Sequence, residues 1–284
     1  VILVNMVLES LFNPFPVKKR PWEMFIAGFI YSIVGLTLSY LVFREVSGLL
    51  TVFLIVLATL PLLYVTIKNE EEIDLKYTGE WKLLKEHSKV LVFLIFLFLG
   101  ITAALTLAYV FLPAEMSSTI FTLQEKAIVN TNNNVQGNIT QLGLLTRIFL
   151  NNIKVLFFCI IFAFLYGTGA IFILTWNASV VATAIGNFFK IELAQGASLV
   201  GLPTISTYFG VASLSILRYM THGILEMASY FIAGLAGGII SIALIKHNLK
   251  EDRVLIDALD MILLSVGFLV LAAIVEVYIT PLMF

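Results

Sequence analysis

His222 and Glu226 stand four residues apart, near the head of an apolar run that continues through Leu244. That spacing puts an imidazole and a carboxylate on one face of a helix. Such a pair can bind a polar solute or ion or offer two ligands to a zinc ion. Ser215, Arg218, His222, Glu226 and Ser229 extend the face as a polar stripe, and Arg147, Asn151, Lys154 and Phe158 form a second stripe at helical spacing. Asn152, Asn177 and Glu276 are three more polar residues set in apolar surroundings. An ionised side chain at a bilayer centre costs about 2.5–3.5 kcal/mol on insertion scales, so such residues usually carry a partner or a function. The expectation is one intramembrane polar cluster of Asn151, Asn152, Lys154, Asn177, Arg218, His222, Glu226 and Glu276. Its carboxylates would pair with Lys154, Arg218 or His222.

Other chemistries find less support. His222 and Glu226 are two metal ligands, and Glu276 or an asparagine would have to complete a site for zinc or another divalent metal. His87 and His247 fall in charged segments at the opposite end of the spans. There is no His-Glu-x-x-His pattern and no Gly-x-Ser-x-Gly elbow, and Gly167-Thr168-Gly169 lacks the lysine of a phosphate loop. The single cysteine, Cys159, cannot form an internal disulfide and reads as a small buried hydrophobe. A net charge of −1 speaks against nucleic acid as a partner. No residue set identifies a reaction, so a non-enzymatic role is preferred.

The elements that must position these residues are membrane spans. The chain is 60% hydrophobic and 12% charged, against about 45–50% and about 25% in soluble domains. The expected fold is all-α and polytopic, with the lipid bilayer as its main partner. Seven spans are expected: 24–43, 49–67 with Pro61 inside, 90–112, about 148–165, about 170–186, about 213–245 and about 255–279. The count falls to six if 148–187 is a re-entrant hairpin about its uncharged turn. Residues 1–141 would form a three-span region with a loop at 68–89, where Trp81 and its lysines suggest a short helix on the membrane surface. A polar loop at 113–141 holds the sequon Asn138-Ile139-Thr140. Residues 142–284 would form a four-span core with the polar cleft. The connection 188–211 is expected to lie along the membrane face.

Cations concentrate in Lys18-Lys19-Arg20, in the 68–89 loop and in Lys246, Lys250 and Arg253. The positive-inside rule then puts the N-terminus in the cytoplasm, the C-terminus outside and the cleft in the outer half. The Lys18–Arg20 cluster follows the short apolar start instead of preceding it, unlike a signal peptide. Met6 is a candidate start, with Val1–Asn5 as upstream sequence. Gly234 and Gly238 form a G-x-x-x-G seam that a neighbouring helix, or a second copy in a homodimer, could use, and Gly167 and Gly169 mark close packing at the turn. Asp257 and Asp260 suit the start of the last span without a functional site.

Several pieces in order resemble the stage II sporulation protein M family: Phe149-Leu150-Asn151-Asn152-Ile153-Lys154, Leu165-Tyr166-Gly167-Thr168-Gly169, Trp176-Asn177-Ala178, His222-Gly223-Ile224-Leu225-Glu226 and Ile274-Val275-Glu276. The resemblance covers about residues 142–284. The Glu9–Pro14 stretch is similar to archaeal members. Where the family often has proline before the His-Gly pair, this chain has Thr221. The resemblance implies a shared membrane-embedded polar site, and in spore formers it implies action with peptidoglycan-degrading partners in the envelope. Three functional readings stand: binding or movement of a small polar solute or ion, as in an exporter or channel component; a non-catalytic scaffold for envelope machinery; and an intramembrane metal-dependent hydrolase using His222, Glu226 and Glu276.

Overall fold

The computed structural model describes residues 21–76, 80–135, 140–166, 169–200, 203–245 and 252–283. Expectations that rest on Val1–Arg20, Gly167, Asn138 and the 246–251 segment lie outside these residues. The described chain is helical and contains no strand. The elements are α1 (Trp22–Val42), a 3-10 turn (Arg44–Val46), α2 (Ser47–Lys76), α3 (Glu80–Phe111), α4 (Ala114–Val135), α5 (Gln141–Tyr166), α6 (Ala170–Val200), α7 (Ile205–Ile245) and α8 (Asp252–Ile274). A π-helical turn (Val275–Ile279) and the short α9 (Thr280–Met283) follow. All of these except α4, α9 and the turns are long and apolar enough to cross a membrane, so there are seven spans. Residues 148–187 supply most of two of them, α5 and α6, each long enough to cross by itself.

α7 is the axis. Its 41 residues reach about 61 Å at 1.5 Å per residue, and every residue from Met227 to Ile239 is buried. α5, α6 and α8 pack along it, while α1, α2 and α3 pack mainly on one another and on α6. Glycines set the closest approaches. A Cβ on Gly100 of α3 would stand 2.1 Å from the Phe25 carbonyl of α1, and one on Gly28 would stand 2.5 Å from the Leu97 carbonyl. Gly234 faces Ala170 of α6 and Gly237 faces Ile160 and Ala163 of α5, so contacts within the chain occupy the α7 seam. Gly238 is buried on the same helix. Gly169 packs onto the Phe162 carbonyl at the α5–α6 turn.

Three connecting segments differ from the sequence expectation, each being mostly helix. α2 runs on to Lys76 and α3 begins at Glu80, so most of 68–89 is helix and the surface helix around Trp81 is the first part of α3. The polar stretch after Pro113 is α4. Its buried residues Ser117, Ile120, Phe121 and Gln124 recur at three- and four-residue spacing, an amphipathic face hidden in a polar composition. α4 packs against α2, α3 and α6. Gln124 donates to the Ser179 hydroxyl of α6 (3.2 Å), Glu125 accepts from the Tyr109 hydroxyl of α3 (2.9 Å) and Glu115 pairs with Arg44 (2.7 Å). Lys190 of α6 lies 4.5 Å from the Tyr109 ring centroid. The 188–211 connection is also mostly helix, because α6 extends to Val200 and α7 starts at Ile205.

Candidate functional site

Asn152 is buried on α5, in line with Leu156, Cys159 and Ala163, at the four-, three- and four-residue steps of a helix face turned inward. Its amide donates a hydrogen bond to Glu226 Oε1 on α7. The contact crosses between two spans and gives the carboxylate a neutral partner. Glu276 lies close enough to Glu226 for their charges to interact, and Tyr230, one turn further along α7, is near both. Among the described residues, neither carboxylate forms an ion pair with a lysine, arginine or histidine.

Glu276 sits in the π-helical turn. There the Thr280 backbone N–H reaches back five residues to the Val275 carbonyl, and the Thr280 hydroxyl donates to the same oxygen at 3.1 Å. Turns of this kind are rare and recur at functional sites. The Thr280 hydroxyl also lies 3.4 Å from His222 Nδ1. α8 is held to α7 a little deeper, where the Ser229 hydroxyl donates to the Ser265 carbonyl at 2.8 Å. Gly223, between His222 and Glu226 on α7, is buried. Nothing lies within 4 Å of where its Cβ would stand, which leaves open space beside the two polar side chains.

Of the eight residues expected to gather, four do so: Asn152, His222, Glu226 and Glu276. Asn151 and Lys154 are exposed on the far side of α5. Adjacent helix positions differ by about 100° and positions two apart by about 200°, so Asn151 and Lys154 cannot share the face of Asn152. Asn177 turns its amide back to the Ile173 carbonyl of its own helix (2.9 Å). Arg218 stacks over the Phe188 ring, 4.7 Å from its centroid. The expected pairing of the carboxylates with Lys154, Arg218 or His222 is therefore replaced by an amide partner for Glu226. Nor do His222, Glu226 and Glu276 form a ligand set. Among the described residues, no three His, Cys, Asp or Glu side chains converge to hold a metal ion. His222 instead turns toward Thr280.

Thr280, Tyr230 and the π turn were not read from the sequence. Tyr230 continues the Arg218–His222–Glu226 stripe by four residues, and that spacing could have found it. Thr280 precedes Pro281 at the end of an apolar run, and nothing in its spacing sets it apart.

The fold defines a multi-pass helical membrane protein in which polar side chains of α5, α7 and the π turn meet. The family model described as stage II sporulation protein M matches residues 90–281, more than half of the chain, and the chain belongs to that family. The match begins at the third span, earlier than the stretch after residue 142 that carries the resemblance. No curated protein and no solved structure matches the chain.

Proposed function

We propose that the protein binds or moves a small polar solute or ion at the site formed by Asn152, His222, Glu226, Glu276 and Thr280. The observation that carries this reading is the pair of carboxylates, Glu226 and Glu276, set near each other between spans with an amide and, among the described residues, no cation for company. Two like charges in a low-dielectric setting are costly unless something neutralises them. A solute that brings positive charge or hydrogen-bond donors meets that need, and the open space beside Gly223 gives it room. The site faces outward, with the N-terminus in the cytoplasm and the C-terminus outside, in keeping with the cations grouped at the other end of the spans.

Glu226→Gln tests the reading, because glutamine keeps an oxygen to accept from Asn152 but removes the charge. In proteoliposomes loaded with a panel of cations and small amines, the variant should lose flux or binding while its helical content and melting temperature stay at the wild-type values. A variant that transports as well as the wild type would overturn it.

A second reading, a non-catalytic scaffold in the cell envelope, is favoured by one feature. Asn152–Glu226, His222–Thr280 and Ser229–Ser265 all tie different helical segments together. On that reading Glu226→Gln lowers the melting temperature and the protein carries nothing.

A further inference from the structure

The residues that left the expected cluster make a second feature of their own. α5 is the least enclosed of the seven spans. Its outer face carries Leu150, Phe157 and Phe158, each more than half exposed. Lys154 stands among them, three and four residues from each, and is exposed. Lys154 pairs with no carboxylate among the described residues. It lies six residues past Ile148, where the apolar run begins, which is about 9 Å along the helix axis. An ammonium at that depth facing hydrocarbon is expensive unless it reaches the headgroup layer or meets an anion. Helix side chains lean toward the N-terminus of their helix. The Lys154 stem therefore runs back along α5 toward Asn151 and Arg147, both exposed on the same side and nearer the interface.

We infer that Arg147, Asn151 and Lys154 form a binding site for the phosphate of an anionic lipid, in the leaflet that meets the N-terminal end of α5. The charge gradient along the face fits an amphiphile: cations and an amide at headgroup level, phenyl rings beyond them for the chains. A second helix is a poorer occupant. Close helix seams in membranes use small residues, and the small residues beside this face, Cys159 and Ala163, are buried toward the interior. Asn152 points inward on the opposite side of α5, so this site is separate from the carboxylate pair and does not depend on what that pair binds.

Thermal unfolding of the full chain in detergent tests the assignment, with titration by phosphatidylglycerol, phosphatidylcholine or inorganic phosphate. A lysine near a membrane surface adds about 1 kcal/mol of attraction to anionic lipid, which is about fivefold in affinity. Wild type should half-saturate at about fivefold less phosphatidylglycerol than Lys154→Leu or Lys154→Gln. Lys154→Arg should behave as wild type, and phosphatidylcholine should not distinguish the variants. Using both a leucine and a glutamine variant guards against one that fails to fold. Equal phosphatidylglycerol titrations for wild type and the neutral variants would overturn the assignment. So would a wild-type shift by inorganic phosphate equal to that by phosphatidylglycerol, which would make the feature a free-anion site.

Discussion

Glu226 owes its position to one residue on another helix, and removing that residue should be felt. Asn152→Ala leaves a carboxylate between spans with its neutral donor gone, a loss that costs about 1–3 kcal/mol for a buried polar group. The expected outcome is a lower melting temperature for Asn152→Ala. A double-mutant cycle with Glu226→Ala should show a coupling of about 0.5–3 kcal/mol; independent effects of the two substitutions would mean that the hydrogen bond contributes nothing. Gly223 makes a different prediction. Because nothing stands near its absent Cβ, Gly223→Leu should fold with wild-type helical content yet fill the space beside His222 and Glu226. Ligand binding or flux should fall at least tenfold with little change in stability, and a variant that melts early would show the space to be packed. At this scale the sequence told which residues were unusual but only in part where they point. The stripe from His222 to Glu226 was legible because one helix carries it. The choice between Asn151 and Asn152 was not, because neighbouring asparagines differ only in which side of α5 the bundle covers.

At the scale of elements, the spans were legible from their apolar runs and their ends were not. α2, α3 and α6 all continue as helix beyond the apolar stretch, since a helix that has already formed gains a hydrogen bond for each residue added, whatever the polarity of the side chain. The same reasoning explains α4, whose buried face was present in the sequence at helical spacing but outweighed by its asparagines and threonines. Packing between elements rests on the glycines. Gly100→Ala would place a methyl 2.1 Å from the Phe25 carbonyl, a contact with backbone that no rotamer relieves. α1 and α3 must part, at a cost of about 1–3 kcal/mol. Gly210→Ala, with nothing within 4 Å and on the exposed part of α7, should instead stabilise by up to about 1 kcal/mol through helix propensity. Melting curves of the two variants should shift in opposite directions. If both shift alike, the close approach of α1 and α3 does not set the packing of this half of the molecule.

The whole molecule is a bundle with two unlike ends. α4 joins the bundle through contacts to Arg44, Tyr109 and Ser179, and the polar site lies toward the end where α3 leads into α4 and α5 begins. Toward the other end, the buried stretch of α7 from Met227 to Ile239 continues past the Ser229–Ser265 contact without an ionisable side chain other than Tyr230. A solute at Glu226 therefore has its shorter polar route on the α4 side, and which compartment that side faces decides what the site can sample. The proposed orientation puts it outside the cell, because Lys68, Lys76, Lys82, Lys85 and Lys89 crowd the opposite end. Single cysteines in a Cys159→Ala background settle the matter, since Cys159 is itself buried. Ser118→Cys, exposed on α4, should react with a membrane-impermeant maleimide in intact cells, and Ser88→Cys, exposed in the first part of α3, should react only after permeabilisation. The opposite pattern would turn the carboxylate pair toward the cytoplasm. The ligands to test would then be cytoplasmic solutes, and the lipid site on α5 would move with them to the inner leaflet.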